Sequence, residues 1–448
     1  MKIDKCIKEV ERDSRVISRA CRIPYFPLVV ESIKGSIVKD IDGNEYIDLL
    51  SSAGSINVGG ANEKVKKSII EQVNKYVHYT PGYLYNKPMI DLAEKLVKIT
   101  PGEFPKRVAF GLSGSDANDG AVKFARAYTG KSSIISFIGA YHGVTYGSMS
   151  MSAITTKMKR KLGPFLPGIY SFSYPNCYRC NYGKKEGCCN LECLNQIQIA
   201  FDSYLPSDEV AAVIIEPIQG DAGLIIPPKR YMKKLYELCA ENGILFISEE
   251  VQQGFGRTGK WFGIENFDLI PDAVILGKSM GGGLPLSAIV GREEIMQSLD
   301  PPAHIFTTAA NPVCCSSAVS TINIISEDGF LKHVNEVGNF AKNYLNNLKD
   351  ECSIIGDVRG VGLSIGVELV KDKISKEKNI KGALKICYRC YEKGVILICL
   401  NGNVLRIQPP LIITKDEMFK ALEIIKSSIE DYLQGNIPDE VLNTIKGW

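Results

Sequence analysis

At 448 residues the chain is long enough for two domains, with a large core in at least one of them. Hydrophobic residues make up 45% and charged residues 23%, and a net charge of +3 over this length gives no electrostatic reason to expect nucleic acid or an anionic membrane as partner. Met1 to Ala20 mixes Lys, Glu, Arg and Asp without an apolar run, unlike a signal peptide, and no stretch approaches the ~18 apolar residues that span a bilayer. A cytoplasmic protein is expected.

In chain order, Asp4 to Ala20 predicts an amphipathic helix ending ahead of Pro24 and Pro27. An alternating run from Leu28 to Leu50, broken at Asp42-Gly43-Asn44, predicts a hairpin. From Glu63 onward short apolar runs alternate with helical patterns. The strand candidates are Val108–Phe110, Ser133–Phe137, Ala211–Ile215, Ile244–Ser248, Ala273–Leu276 and Ala288–Val290. Helical patterns such as Asp116–Tyr128 and Lys229–Glu241 fall between most of them. This alternation predicts an α/β fold, a mostly parallel sheet with helices on both faces. A helical stretch, Pro312 to Glu327 and on through Leu331 to Leu348, leads away from it. A smaller α/β unit follows, with strands at Val358–Leu369, Val395–Leu400 and Val404–Ile407. The expected division is a large domain over 61–325 and a smaller one built from both chain ends, 1–60 and 326–448.

Fourteen cysteines are many, but a cytoplasmic chain keeps them reduced, so no disulfide framework is expected. Cys177 and Cys180 have the spacing of a zinc knuckle, and Cys188, Cys189 and Cys193 follow. Four of these five thiols suffice for a tetrahedral site. The second half lacks a Cys-x-x-Cys, however, and the expectation is a reduced, metal-free surface insertion. A second Cys-Tyr-Arg-Cys at 387–390 lies in a helical pattern and reads as buried packing.

Chemistry concentrates where the predicted strands end, which is where open parallel sheets bind ligands. The Ala273–Leu276 strand runs into Gly277, Lys278 and a glycine turn. A lysine amine desolvated at such a place loses basicity and becomes a Schiff-base nucleophile. The Ala211–Ile215 strand ends in Glu216 and, a few residues on, Asp221; Ile244–Ser248 ends in Glu249, Glu250 and Gln252. Gly111 to Asn118 follows a strand and opens a helix, so its backbone N–H groups converge on an anion. It is neither a Walker motif nor GxGxxG, which argues against a nucleotide. Tyr141 and His142 follow the Ser133–Phe137 strand, where a ring can stack on a planar cofactor. An aldehyde-trapping lysine, a phosphate cradle, a carboxylate for a ring nitrogen and an aromatic stack together point to pyridoxal 5'-phosphate.

These segments resemble the class III (ω-type) aminotransferases of PLP fold type I over nearly the whole chain. The resemblance rests on Ser113–Asn118, Tyr141-His142-Gly143, Glu216–Gly220, Glu250–Gly259, Gly277-Lys278, Thr307 with Asn311-Pro312, and Leu405–Leu411. It implies a large domain with a mostly parallel seven-stranded sheet. It also implies roles: Lys278 forms the Schiff base and shuttles the Cα proton, and Gly114 and Ser115 hold the phosphate, helped by Thr307 from a neighbouring subunit. Tyr141, with His142 beside it, stacks on the ring, Gln252 reaches the ring hydroxyl, and Arg406 grips the substrate carboxylate, with Glu216 on the substrate side. A homodimer or homotetramer with shared active sites follows.

Two departures shape the functional expectation. The family's aspartate against the pyridine nitrogen falls on Glu249, one methylene longer. The arginine that GABA-type members carry after His-Gly is Val144, which favours an amino-acid substrate with a neutral side chain. Gln252–Trp261, Gly277-Lys278-Ser279 and Leu286–Arg292 look most like the amino-acid racemase and isoleucine 2-epimerase branch. A racemase must protonate Cα from the face opposite the lysine, and Asp221 is the candidate acid. The expected activity is inversion of Cα in neutral or branched-chain amino acids. The alternative is an aminotransferase using 2-oxoglutarate or pyruvate.

Overall fold

The computed structural model describes residues 1–447. Strands β1 (Val30–Lys34), β2 (Ile37–Asp40) and β3 (Glu45–Asp48) come first. They are followed by β4 (Lys106–Gly111), β5 (Ser133–Phe137), β6 (Ile169–Phe172), β7 (Val210–Ile215), β8 (Leu245–Glu249), β9 (Ala273–Leu276) and β10 (Ser287–Arg292). Last are β11 (Ile355–Val361), β12 (Ser364–Leu369), β13 (Val395–Ile396), β14 (Ile398–Leu400) and β15 (Val404–Ile407). The chain divides into two compact units, Glu63–Asp328 and the remainder from both chain ends.

The larger unit is organised by a seven-stranded sheet in the order β4-β10-β9-β8-β7-β5-β6. Neighbours from β9 to β6 run parallel, and β10 alone is reversed, pairing antiparallel with both β9 and β4. Every residue of β5, β7 and β9 is buried, as a sheet covered on both faces requires. One face packs on the Gly114–Thr129 helix through Ala117, Ala121, Phe124 and Ala125 against Ile134, Ala212, Ile214 and Ile275. Small side chains along that helix let it lie close to the sheet. β6 was not anticipated: Ile169–Phe172 is short and half-exposed at the sheet edge, so its apolar signal is weak.

In the smaller unit β3 pairs parallel with β13, which ties the two chain ends into one sheet. Two expected strands are each divided. Val358–Leu369 is an antiparallel hairpin, β11 and β12, turned at Gly362, whose φ is 57°. Val395–Leu400 splits into β13, which serves the β3 sheet, and β14, which pairs with β15. The opening helix stops at Val16, four residues short of expectation, because Ile17 is extended and Ser18 caps a separate turn. Ile365, Val367, Leu369, Ile386, Leu405, Leu422 and Ile425 share this unit's core, together with Cys387 and Cys390. The second Cys-Tyr-Arg-Cys is packing.

Candidate active site

β4, β5, β7, β8 and β9 all end at the same edge of the large sheet. Residues at or just beyond those ends line one cavity: Gly114 and Ser115 after β4, Tyr141, His142 and Gly143 after β5, Glu216 and Asp221 after β7, Glu249 at the end of β8 with Val251 and Gln252 after it, and Lys278 after β9. Sequence reading named nearly all of these and missed Val251, an apolar residue between two polar ones.

The anion cradle begins at the Gly114–Thr129 helix, two residues earlier than its apolar period suggested. A capping box fixes that start: Asp116 N–H donates to Ser113 Oγ, and the Asp116 carboxylate accepts from Ser113 N–H at 3.1 Å. Gly114 and Ser115 therefore occupy the first turn, where backbone N–H groups lack helical partners and favour an anion. Gly143 closes against it with φ +132°, and a Cβ there would stand 2.2 Å from Ser115 Oγ. That residue must be glycine.

Adjacent glutamates at the end of β8 have opposite duties, as the alternation of a strand demands. Glu250 accepts from the N–H groups of Gly263 at 2.7 Å and Ile264 at 2.8 Å and from Ser248 Oγ at 3.0 Å, bracing the following loop. Burial pushes it up to about 7. Glu249 faces the cavity, and burial, reinforced by Glu216, raises it well above the usual carboxylate range, while Lys278 and an Asn118 hydrogen bond oppose the shift. Asn118 was quoted in a motif but given no role. Its side chain also donates to Gly114 O at 2.9 Å, linking cradle and acid.

Glu216 is held by backbone on both sides, accepting from Tyr141 N–H at 2.9 Å and Gly220 N–H at 2.8 Å. Burial still carries it up to about 7, with Asp221 adding to the rise and Lys278 opposing it. These bonds fix Tyr141 and the turn that bears Asp221. Asp221 is 9% exposed, faces Gln252 Nε2 at 3.4 Å, and raises the Tyr141 hydroxyl after burial itself. His142 is buried and pushed down to about 4 by that burial. Lys278 opens a single 3₁₀ turn with φ +45°, a left-handed conformation that costs a non-glycine residue about 1–3 kcal/mol. Strain at this one lysine aims its side chain from the strand end.

Two anticipated residues stand outside the cavity. Thr307 lies exposed in an irregular stretch before the Pro312–Ile325 helix. Arg406 is in β15 of the smaller unit, 2% exposed.

The donor atoms of His142, Glu216 and Glu249 lie within 4.8 Å of one another. Glu216 is already committed to two N–H donors, and the set fits the wall of an organic cofactor. Both ring nitrogens of His142 are buried without a hydrogen-bond partner among the described residues, as suits a ring packed behind a flat ligand. Glu249, buried and raised by a second carboxylate, is complementary to a protonated ring nitrogen. The Lys278 amine lines the same cavity as the helix start at Gly114 and Ser115, a pairing that fits an aldehyde bearing a phosphate.

Comparison with known proteins agrees with this reading. The chain is 46% identical to isoleucine 2-epimerase of Lentilactobacillus buchneri, over 97% of both chains. It is also 46% identical to leucine/methionine racemase of Thermococcus litoralis, over 98% of this chain and 99% of that one. The crystal structure of an omega transaminase from Pseudomonas jessenii in complex with PMP superposes with a TM-score of 0.87 at 28% identity, covering 95% of this chain and 98% of that one. The cofactor is pyridoxal 5'-phosphate. A family profile described as aminotransferase class-III matches residues 20–429, and the chain belongs to that family.

Proposed function

We propose that this chain is an amino-acid racemase or epimerase that inverts Cα of neutral or branched-chain amino acids. The observation that carries the reading is that Lys278 and Asp221 line one cavity, with the fixed carboxylate of Glu216 sensing both. Relatives named for epimerisation and racemisation are 46% identical, whereas the omega transaminase is 28% identical.

Bound pyridoxal 5'-phosphate supplies an aldehyde for the amino group and a ring that draws electrons from Cα. The protein's own groups do the rest. Gly114 and Ser115 would hold the cofactor's phosphate from the helix start, Gln252 its ring hydroxyl, and Tyr141 and His142 its ring face. Lys278 Nζ takes the Cα proton on one face and an Asp221 carboxyl oxygen returns one on the other, so each group works as acid in one direction and base in the other. Arg406 binds the substrate α-carboxylate bidentately, as its planar fork is suited to do. Val144, where related aminotransferases carry an arginine, leaves no cation for a distal carboxylate and favours neutral side chains.

The active form is a homodimer or homotetramer. Thr307 is exposed and outside its own cavity, and Tyr79, Tyr83 and Tyr85 of the same unit are 64%, 82% and 98% exposed, a surface suited to a second copy. A cytoplasmic setting belongs to this reading and suits a chain with fourteen free cysteines.

The test is incubation of holoenzyme with L-isoleucine, L-methionine or L-alanine in D2O without any keto acid. Catalytic appearance of the D- or allo-epimer carrying deuterium at Cα is expected. Amino transfer on addition of 2-oxoglutarate or pyruvate, with no inversion, would make the chain an aminotransferase instead.

A further inference from the structure

The stretch that carries Thr307 is long for a connection. Residues 297–311 contain no helix or strand, and unstructured connections of more than about 12–15 residues within a compact domain are usually functional. Exposure alternates along its middle: His304 and Phe306 are half-buried, whereas Ala303, Ile305 and Thr307 are exposed. An extended segment behaves in this way, turning His304 and Phe306 towards the domain and Ile305 and Thr307 away from it. Ile305 lies beside the exposed tyrosines, since a Cβ on Gly82 would stand 2.9 Å from Ile305 Cγ2.

The inward side chains are seated on the helix whose first turn forms the anion cradle. A Cβ on Gly120, within two turns of Gly114, would stand 2.5 Å from His304 Cε1 and 3.0 Å from its Nε2. The imidazole thus occupies the space that a side chain at 120 would fill. Phe124, one turn on, meets the His304 ring edge-on with centroids 5.6 Å apart, and Phe306 does so from within the loop at 5.0 Å. Lys123, on the same side of the helix, donates to Ala303 O at 2.7 Å and lies 5.8 Å from the Phe306 ring. Both ring nitrogens of His304 are buried without a hydrogen-bond partner among the described residues. Burial, with Lys123 adding to it, pushes the ring down to about 4, so it is neutral. Shape makes this contact.

We propose that His304 is a positioning residue for the cofactor phosphate: seated at Gly120, it fixes the segment from which Thr307 reaches the neighbouring subunit's site. The inference rests on the role given to Thr307 above. Three residues separate the two positions, a span of about 10 Å at most, so an anchor at 304 restricts where the Thr307 hydroxyl can lie. A segment ordered before the cofactor arrives loses less freedom when it binds. The same helix then serves two sites. Its first turn meets the phosphate of its own subunit, and its middle, about 9 Å along the axis, holds the segment lent to the other.

The experiment titrates full-length apoenzyme with pyridoxal 5'-phosphate and, separately, with pyridoxal, following the absorbance each aldehyde gives on reacting with Lys278. Pyridoxal lacks the phosphate and so reports on the rest of the site. His304→Ala should weaken pyridoxal 5'-phosphate by about 10-fold and pyridoxal by less than about 2-fold, and should shift the phosphorus NMR resonance of the bound phosphate. His304→Phe keeps a flat ring at Gly120 and should restore most of the affinity. Thr307→Ala should match the loss in His304→Ala, and the double variant should be no weaker than Thr307→Ala alone. Gly120→Ala fills the ring's seat while favouring the helix, and answers the same question should His304→Ala fail to fold. Unchanged 5'-phosphate affinity in His304→Ala, an equal loss for pyridoxal, or additive losses in the double variant overturns the proposal. Unchanged affinity in Thr307→Ala overturns it by a separate route, because the role of Thr307 itself then falls.

Discussion

The cavity rim and the 176–190 loop belong to the same unit and both concentrate chemically reactive side chains, yet they are built in opposite ways. At the rim, sheet and helices exclude water first, and polar groups are then fixed by backbone, as Glu216 is by Tyr141 and Gly220. In the loop nothing is buried, and its free thiols stand on a stretch without helix or strand. At the rim the scaffold orders the chemistry, whereas the loop has no core of its own to order its thiols. Substitutions at the rim should therefore alter reactivity in an intact fold, and substitutions in the loop should alter local order.

The largest effect is expected for Lys278→Ala, which should remove Cα chemistry altogether; an isotope-exchange assay by proton NMR in D2O decides it. Full turnover there would end the reading of this rim. Asp221→Asn should slow inversion by about 10²- to 10⁴-fold while Cα–H exchange with retention continues. Equal losses of exchange and inversion would instead assign Asp221 to the turn alone. Gly143→Ala forces a Cβ onto Ser115 Oγ in a left-handed backbone, and should weaken cofactor retention and cost about 1–3 kcal/mol in a denaturation midpoint series.

The smallest effect separates bracing from chemistry. Glu250 titrates near 7 in the folded chain and in the ordinary carboxylate range when unfolded. The folded state thus binds the extra proton, and its contribution to stability is fully present below about pH 4.5 and is lost as pH rises towards 7. Glu250→Gln cannot ionise, so its melting temperature relative to the parent should rise across that window. A constant difference at all pH values would contradict the buried, protonated state.

Much of this was legible in the sequence because strand ends announce themselves: an apolar run followed at once by Glu249 or by Gly277-Lys278 gives both the element and the residue that lines the cavity beyond it. The helix that opens after β4 was legible too, but its boundary was not, since Gly114 and Ser115 carry no apolar period and only the capping box fixes the start. Which of two adjacent glutamates faces the ligand depended on the strand's register, and β8 lies one residue later than its hydrophobicity implied. The division of Val395–Leu400 was invisible because both halves are equally apolar and only their partners differ. That Glu216 also braces Tyr141 and Gly220 was not legible, because these backbone partners come from two separate loops.

The left-handed turn at Lys278 has a consequence for how this protein tolerates change. The most damaging substitution for activity is also one the backbone would welcome: glycine at 278 relieves the torsional strain that lysine bears. A screen that scores only expression or thermal resistance would therefore enrich inert proteins at this position. Selection for survival of the fold and selection for its use pull against each other at a single residue.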